Sequence, residues 1–188
     1  MAIELKRIGW EDAPSEQTPL DSGNLKQMEQ NTEDGINEAI SQIESKMNNI
    51  ISVSFNNNFY SISSSNWQQV ELHFDKIVGQ VGNLLKLENG KIKIGKGIKK
   101  IKASFQTSTN ALANDTFYSA NINKNGNSVA SNEGRKKSDP QSWSFVIAPV
   151  LINVEENDEI SVSLFCNSAT LNSGMTQFVV EVIEWQDS

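Results

Sequence analysis

Cysteine is almost absent. Cys166 is the single one among 188 residues, which rules out an intrachain disulfide and a thiolate metal site. Its setting, Ser163-Leu164-Phe165-Cys166, predicts a buried small apolar residue rather than a reactive thiol. Histidine is equally scarce: His73 lies between Leu72 and Phe74 and is expected on the face opposite them, as a solvated or interface residue rather than a general base. Two of the four prolines, Pro14 and Pro19, fall in the first 20 residues, where no period is sustained. That stretch reads as an extended arm that orders against a partner, with Trp10 and Leu20 as its anchors. No segment approaches the roughly 20 apolar residues that span a bilayer. Met1 to Lys6 also lacks the apolar run of a secretory signal, so assembly in a cytoplasm is expected. Basic charge is in deficit, with 16 Lys and Arg against 23 Asp and Glu and a net charge of -7, which disfavours nucleic acid and anionic membranes as partners.

What is present divides at about residue 51. Ile36, Ile40, Ile43, Met47 and Ile50 recur at alternating spacings of four and three, the seam of a short coiled coil. With Ile36, Ile43 and Ile50 at d and Ile40 at a, the pattern leans towards three strands. The same residues also suit one amphipathic helix lying on its own β domain. Asp21 or Ser22 is placed to cap the helix, and Gly35 to break or shift its register.

Beyond Ser52 the period becomes two. Val70, Leu72 and Phe74 share one face of a strand, as do Ile101, Ala103 and Phe105, and later Ile160, Val162, Leu164 and Cys166. Turn signals at Glu88-Asn89-Gly90, Asn125-Gly126-Asn127, Glu156-Asn157-Asp158 and Asn172-Ser173-Gly174 separate such segments with no helical pattern between them. The prediction is a mainly β chain, an antiparallel jelly-roll sandwich with a short N-terminal helix. Its parts are an arm over 1–20, a helix and coiled coil over 21–51, and a β head over 52–188.

No set of residues reads as catalytic, and neither cofactor nor metal is expected. Gly95-Lys96-Gly97 lacks the glycine spacing and following helix of a phosphate loop, so it reads as a bulge or turn. The lysines between Lys86 and Lys102 read first as a soluble face that discourages edge pairing, and second as an anionic-glycan site. Glu155, Glu156, Asp158 and Glu159 lack calcium-loop spacing. Sugars are held by aromatic faces with amides at the hydroxyls. The candidate ligand residues are therefore Trp143, Trp67 and Tyr118, with Asn125, Asn127 and Lys136 from the polar stretch Asn125–Gln141.

Four pieces carry a family likeness over roughly residues 66 to 185. They are Leu87-Glu88-Asn89-Gly90-Lys91-Ile92-Lys93-Ile94 leading to Gly97–Phe105; Phe117-Tyr118-Ser119-Ala120-Asn121-Ile122-Asn123-Lys124-Asn125-Gly126; Val150–Val162; and Phe178–Val182. Their order resembles the C1q and tumour-necrosis-factor jelly-roll superfamily, which implies a homotrimer. Ile98 departs from the aromatic residue of many relatives, and no collagen-like repeat precedes the domain. Ile8-Gly9-Trp10-Glu11-Asp12 and Thr18-Pro19-Leu20 running to Leu25 and Met28-Glu29 resemble the start of tail-fibre and baseplate proteins of phages and prophages of Gram-positive bacteria. That likeness implies a virion protein docked through Trp10, Leu20 and Leu25 and assembled in the host cytoplasm. The expected function is trimeric recognition of a bacterial surface saccharide. A head fibre or decoration protein without a ligand is the first alternative, and a glycan-cleaving enzyme on a β scaffold the second.

Overall fold

The computed structural model describes residues 22–47, 49–110, 116–136 and 143–186. The chain divides into two compact units between Ser45 and Lys46. The arm, with Trp10, Leu20 and the cap candidate Asp21, lies outside the described residues.

The helix α1, Ser22–Met47, supplies the described residues of the first unit, its last two residues being counted in the second. Side chains four residues apart reinforce it: Gln27 donates to Asn31, Gln30 to Asp34 and Gln42 to Glu38, and the Thr32 hydroxyl bonds the Met28 carbonyl. Gly35 does not interrupt the helix as its sequence suggests. Glycine costs about 1 kcal/mol against alanine inside a helix but keeps its N–H and carbonyl, so the hydrogen-bond ladder passes through it. Ile36, Ile40 and Ile43 are 54%, 47% and 61% exposed.

Ile50, read as the last seam position, instead opens the first strand and pairs with Glu181 and Val81. The preceding residue is already held by the sheet: the Asn49 carbonyl accepts from the Val182 N–H at 2.8 Å, and its side-chain oxygen from the Leu84 N–H at 3.0 Å. That capture ends the heptad pattern at Met47.

The second unit is built from β1 (Ile50–Ser54), β2 (Phe59–Glu71), β3 (Lys76–Val81), β4 (Leu85–Glu88), β5 (Lys91–Ile94), β6 (Ile98–Asn110), β7 (Thr116–Lys124), β8 (Asn127–Lys136), β9 (Trp143–Asn153), β10 (Glu159–Asn172) and β11 (Gln177–Trp185). Every pairing among them is antiparallel. One layer runs β3-β1-β11-β6-β9. The other sets β2 and β5 on one side of β10 and β7 then β8 on its other side, with β4 beyond β5. A short β10–β6 pairing at Thr170 and Leu171 joins the layers, so the sheet curls on itself as a jelly roll does.

The core follows the period-two phases. Ile101, Ala103 and Phe105 meet Val180 and Phe178 from one layer, and Tyr118, Ala120 and Ile122 meet Val162 and Leu164 from the other; all are buried. Phe74 anchors one end, stacked on Phe55 at 5.1 Å and Phe178 at 5.5 Å and edge-on to Phe105 at 6.5 Å. Such pairs add about 0.5–1.5 kcal/mol each beyond burial. Tight turns match their residues: Asn89-Gly90 and Asn125-Gly126 all have positive φ, the geometry of a two-residue hairpin loop.

Candidate functional site

The ligand residues expected from sequence whose side chains are described, Tyr118, Asn125 and Asn127, do not line one site. Tyr118 is 1% exposed, with its ring edge-on to Phe145 at 6.3 Å. It shares the inward phase of Ala120 and Ile122, so it is a core residue, not a sugar platform. Asn125 is committed to its turn, where its amide donates to Asp158 and its oxygen accepts from the Glu159 N–H. Asn127 is exposed and leans on the Asn125 carbonyl at 3.4 Å. The expected binding loop is largely strand, because Asn127–Lys136 forms β8 and pairs along β7. Trp67, Trp143, Lys136, Met47 and Leu25 lie in described elements, but their side chains fall outside the described ones.

A different surface is concave. Where β1 ends and β3 begins, the chain closes on the 3-10 turn Ser173–Met175 around a cavity of about 330 Å³. Hydrogen bonds fix its wall. The Ser54 hydroxyl donates to the Ser173 carbonyl at 2.8 Å, and the Ser173 N–H donates to the Asn58 carbonyl at 3.0 Å. The Ser173 hydroxyl also bonds the Asn57 carbonyl. Asn56 is tied through its N–H to the Asp75 carboxylate at 2.7 Å and through its amide to the Asp75 carbonyl at 2.9 Å. Thr176 sits beneath, its hydroxyl 2.7 Å from that of Thr107.

The lining offers Asn58, Gln106 and Lys76 as polar groups and Val78 and Met175 as apolar ones. Phe59, 52% exposed, follows Asn58 directly. Amides, hydroxyls, one cation and small apolar faces suit a neutral polyhydroxyl ligand. Among the described residues, the lining contains no carboxylate, histidine or cysteine, and Lys76 is its one ionisable side chain. The run Asn56-Asn57-Asn58-Phe59 is the sequence signal for this surface, an amide-rich turn followed by an aromatic residue.

The charged hairpins are mostly self-compensated. Lys91 lies 3.2 Å from both Glu71 and Glu159, Lys100 is 2.9 Å from Glu184, and Lys102 is 2.5 Å from Glu181. A hydrogen bond from Lys91 to Glu159 raises its pKa against the opposing effect of burial, with Glu71 adding to the rise. Gly95-Lys96-Gly97 is the expected turn. The acidic turn is held by Asp158, which accepts from the Glu155 N–H and pairs with Lys124 at 2.9 Å. No cluster of three metal-capable side chains occurs among the described residues. His73 is exposed and covers Gly90, and Cys166 is buried.

No protein family matches this chain, and no curated protein sequence matches it. Solved structures do. Murine APRIL at pH 5.0 is 12% identical with a TM-score of 0.58, over 72% of this chain and 99% of that one. The Eiger TNF of S. frugiperda is 6% identical with a TM-score of 0.57, over 75% of this chain and 96% of that one. The likeness is one of fold: the β head is a TNF-like antiparallel jelly roll.

Proposed function

We propose that this protein is a homotrimeric virion protein of a phage or prophage, in which the jelly-roll heads bind a bacterial surface saccharide and no reaction is catalysed. The observation that supports it most is a 26-residue helix with Ile36, Ile40 and Ile43 exposed on it, placed ahead of a TNF-like head. Such a helix is marginal alone, and packing copies of it together would bury the isoleucines. Three weak head sites on one stalk then act by avidity, gaining far more than a single site provides. Within each head the cleft at Asn58, Lys76 and Met175 is the saccharide site, and the arm docks the trimer on the particle.

The test joins light scattering on the full chain with binding of labelled protein to intact bacteria and to isolated wall saccharides. Trimer mass with saturable binding, weakened by Asn58→Ala together with Met175→Ala, supports the reading. Binding that these changes leave intact moves the ligand off the cleft. A trimer retained on no cell surface overturns receptor recognition in favour of a fibre or decoration role. One observation favours that second reading: among the described residues the one aromatic side chain lining the cleft, Phe55, is 2% exposed and offers no stacking face.

A further inference from the structure

We propose that the concavity between the β4–β5 hairpin and the Glu155–Asp158 turn binds an oxyanion of the phosphate class, through Lys86, Lys93 and Lys96. The first observation is register. Lys86 on β4 stands directly opposite Lys93 on β5. Directly opposed residues of an antiparallel pair share a face, with Cβ atoms about 4.5–5.5 Å apart, and like charges placed so destabilise the hairpin. The neighbouring pairs are built the other way: Glu88 faces Lys91, and the apolar pairs Leu85–Ile94 and Leu87–Ile92 fill the alternate positions. A carboxylate at position 86 would have completed that pattern.

The second observation is shape. The Gly95 N–H donates to the Leu84 carbonyl at 2.8 Å and the Asn157 N–H to the Ile94 carbonyl at 2.9 Å, which draws the Lys96 turn and the Asn157 turn over the end of the hairpin. The result is a cavity of about 270 Å³, with Leu84 and buried Ile94 among its walls. That volume lies just under the range of about 300–1,000 Å³ for drug-sized ligands and suits a small anion.

The third is charge. Three lysines face two glutamates in the lining, and one of these, Glu88, is already paired with Lys93 at 3.4 Å. The site is locally positive on a chain of net charge -7, so an anion repelled elsewhere is favoured here. Lysine ammonium groups supply charge-assisted hydrogen bonds to phosphate oxygens. An anion between Lys86 and Lys93 would turn their repulsion into shared attraction. The site is separate from the Asn58–Met175 cleft, and its occupancy does not depend on saccharide binding there.

The test titrates inorganic phosphate into the isotope-labelled full chain at ionic strength held constant with sodium chloride, reading amide shifts and the thermal midpoint. Saturable shifts of Gly95, Lys96 and Asn157 and a rising midpoint are expected. Lys86→Gln should weaken binding roughly tenfold, the loss of one charge-assisted contact. It should also raise the midpoint of the phosphate-free protein, because the repulsion is gone. Lys96→Gln, in the exposed turn, should weaken binding without that gain, and Lys99→Gln, outside the cavity, should change neither. An unsaturable drift, or equal binding by wild type and Lys86→Gln, overturns the proposal. Glucose 6-phosphate binding more tightly than phosphate supports an oxyanion carried on a sugar, and equal binding supports a free one. Glucose binding as tightly as either overturns an oxyanion site while leaving the saccharide cleft untouched.

Discussion

The amide of Asn125 donates to the carboxylate of Asp158 at 2.6 Å, joining the β7–β8 turn to the β9–β10 turn 33 residues further along the chain. The oxygen of the same amide accepts from the Glu159 N–H at 2.9 Å, so one side chain satisfies both partners. Asn125 can do this because its backbone sits at φ 50, a conformation asparagine tolerates better than most residues. Asp158 is the hub, since it also accepts from the Glu155 N–H at 2.8 Å and from Lys124 at 2.9 Å.

That hub should make stability acid-sensitive. Burial pushes the Asp158 carboxyl upward, but hydrogen bonds from Lys124, the Glu155 N–H and Asn125, with the lysine charge, outweigh it and hold the group below its ordinary 3.8. A carboxyl depressed in the folded state contributes stability that is fully present above its unfolded value and is lost as pH falls through its folded value. Urea unfolding over a pH series should therefore show a drop beginning just below about 4. Asp158→Asn should be less stable than wild type at pH 7 and show a shallower drop in that window. Equal slopes would mean that other carboxylates govern it.

Gly97 should be irreplaceable where Gly79 is not. Gly97 has φ 86, and a Cβ on it would run into the Trp185 indole nitrogen, while the Gln186 N–H bonds the Gly97 carbonyl at 2.8 Å. Gly97→Ala should lose roughly 1–3 kcal/mol to strain and overpacking. Gly79 on β3 has open space around it, so Gly79→Ala should stay within about 0.5 kcal/mol. Urea midpoints of the two variants check the contrast.

Cys166 should be silent in the native protein. It is 1% exposed, and burial pushes its thiol from 9.0 up to about 11, a roughly hundredfold smaller thiolate fraction at neutral pH. Labelling by a thiol reagent at pH 7 should proceed only as fast as the protein unfolds and be complete in urea. Rapid native labelling would place the thiol at the surface.

Alternation made the β head readable in advance. The phases of Ile101, Ala103 and Phe105, or of Val162, Leu164 and Cys166, are local properties, and the structure buries these residues. Tyr118 shows the limit of reading by residue type: the preference of sugars for aromatics named it, while the phase it shares with buried Ala120 and Ile122 puts it in the core. The Asn58–Met175 cleft escaped because its walls come from β1, β3, β6 and the Ser173 turn, and no local pattern reports which turns meet. The lysine concavity was half legible. Composition gave a basic hairpin, but only the register set Lys86 opposite Lys93. Ile50 fitted the heptad by spacing alone, and the hydrogen bonds of Asn49 to distant Val182 and Leu84 removed it.

Self-association should fail when the helix stripe is made polar. Ile36, Ile40 and Ile43 lie on α1, are about half exposed and are not among the buried residues of the β core, so Ile36→Asp and Ile43→Asp change the stripe without changing a core residue. By light scattering, either change should convert the proposed trimer to a monomer. Far-ultraviolet circular dichroism should then lose most of its helical signal, because a lone helix with little intrinsic bias is marginal in water. Gly35→Ala should act in the opposite direction, adding about 1 kcal/mol of helix stability per chain, and the trimer should persist to greater dilution. Replacing Ile50 gives the contrast. It belongs to β1, paired with Glu181 and Val81, so Ile50→Asp should lower the urea midpoint of the head rather than act through the helix. If Ile36→Asp leaves the mass unchanged and Ile50→Asp alone dissociates the protein, the copies are held by their jelly rolls and the helix is only a tether.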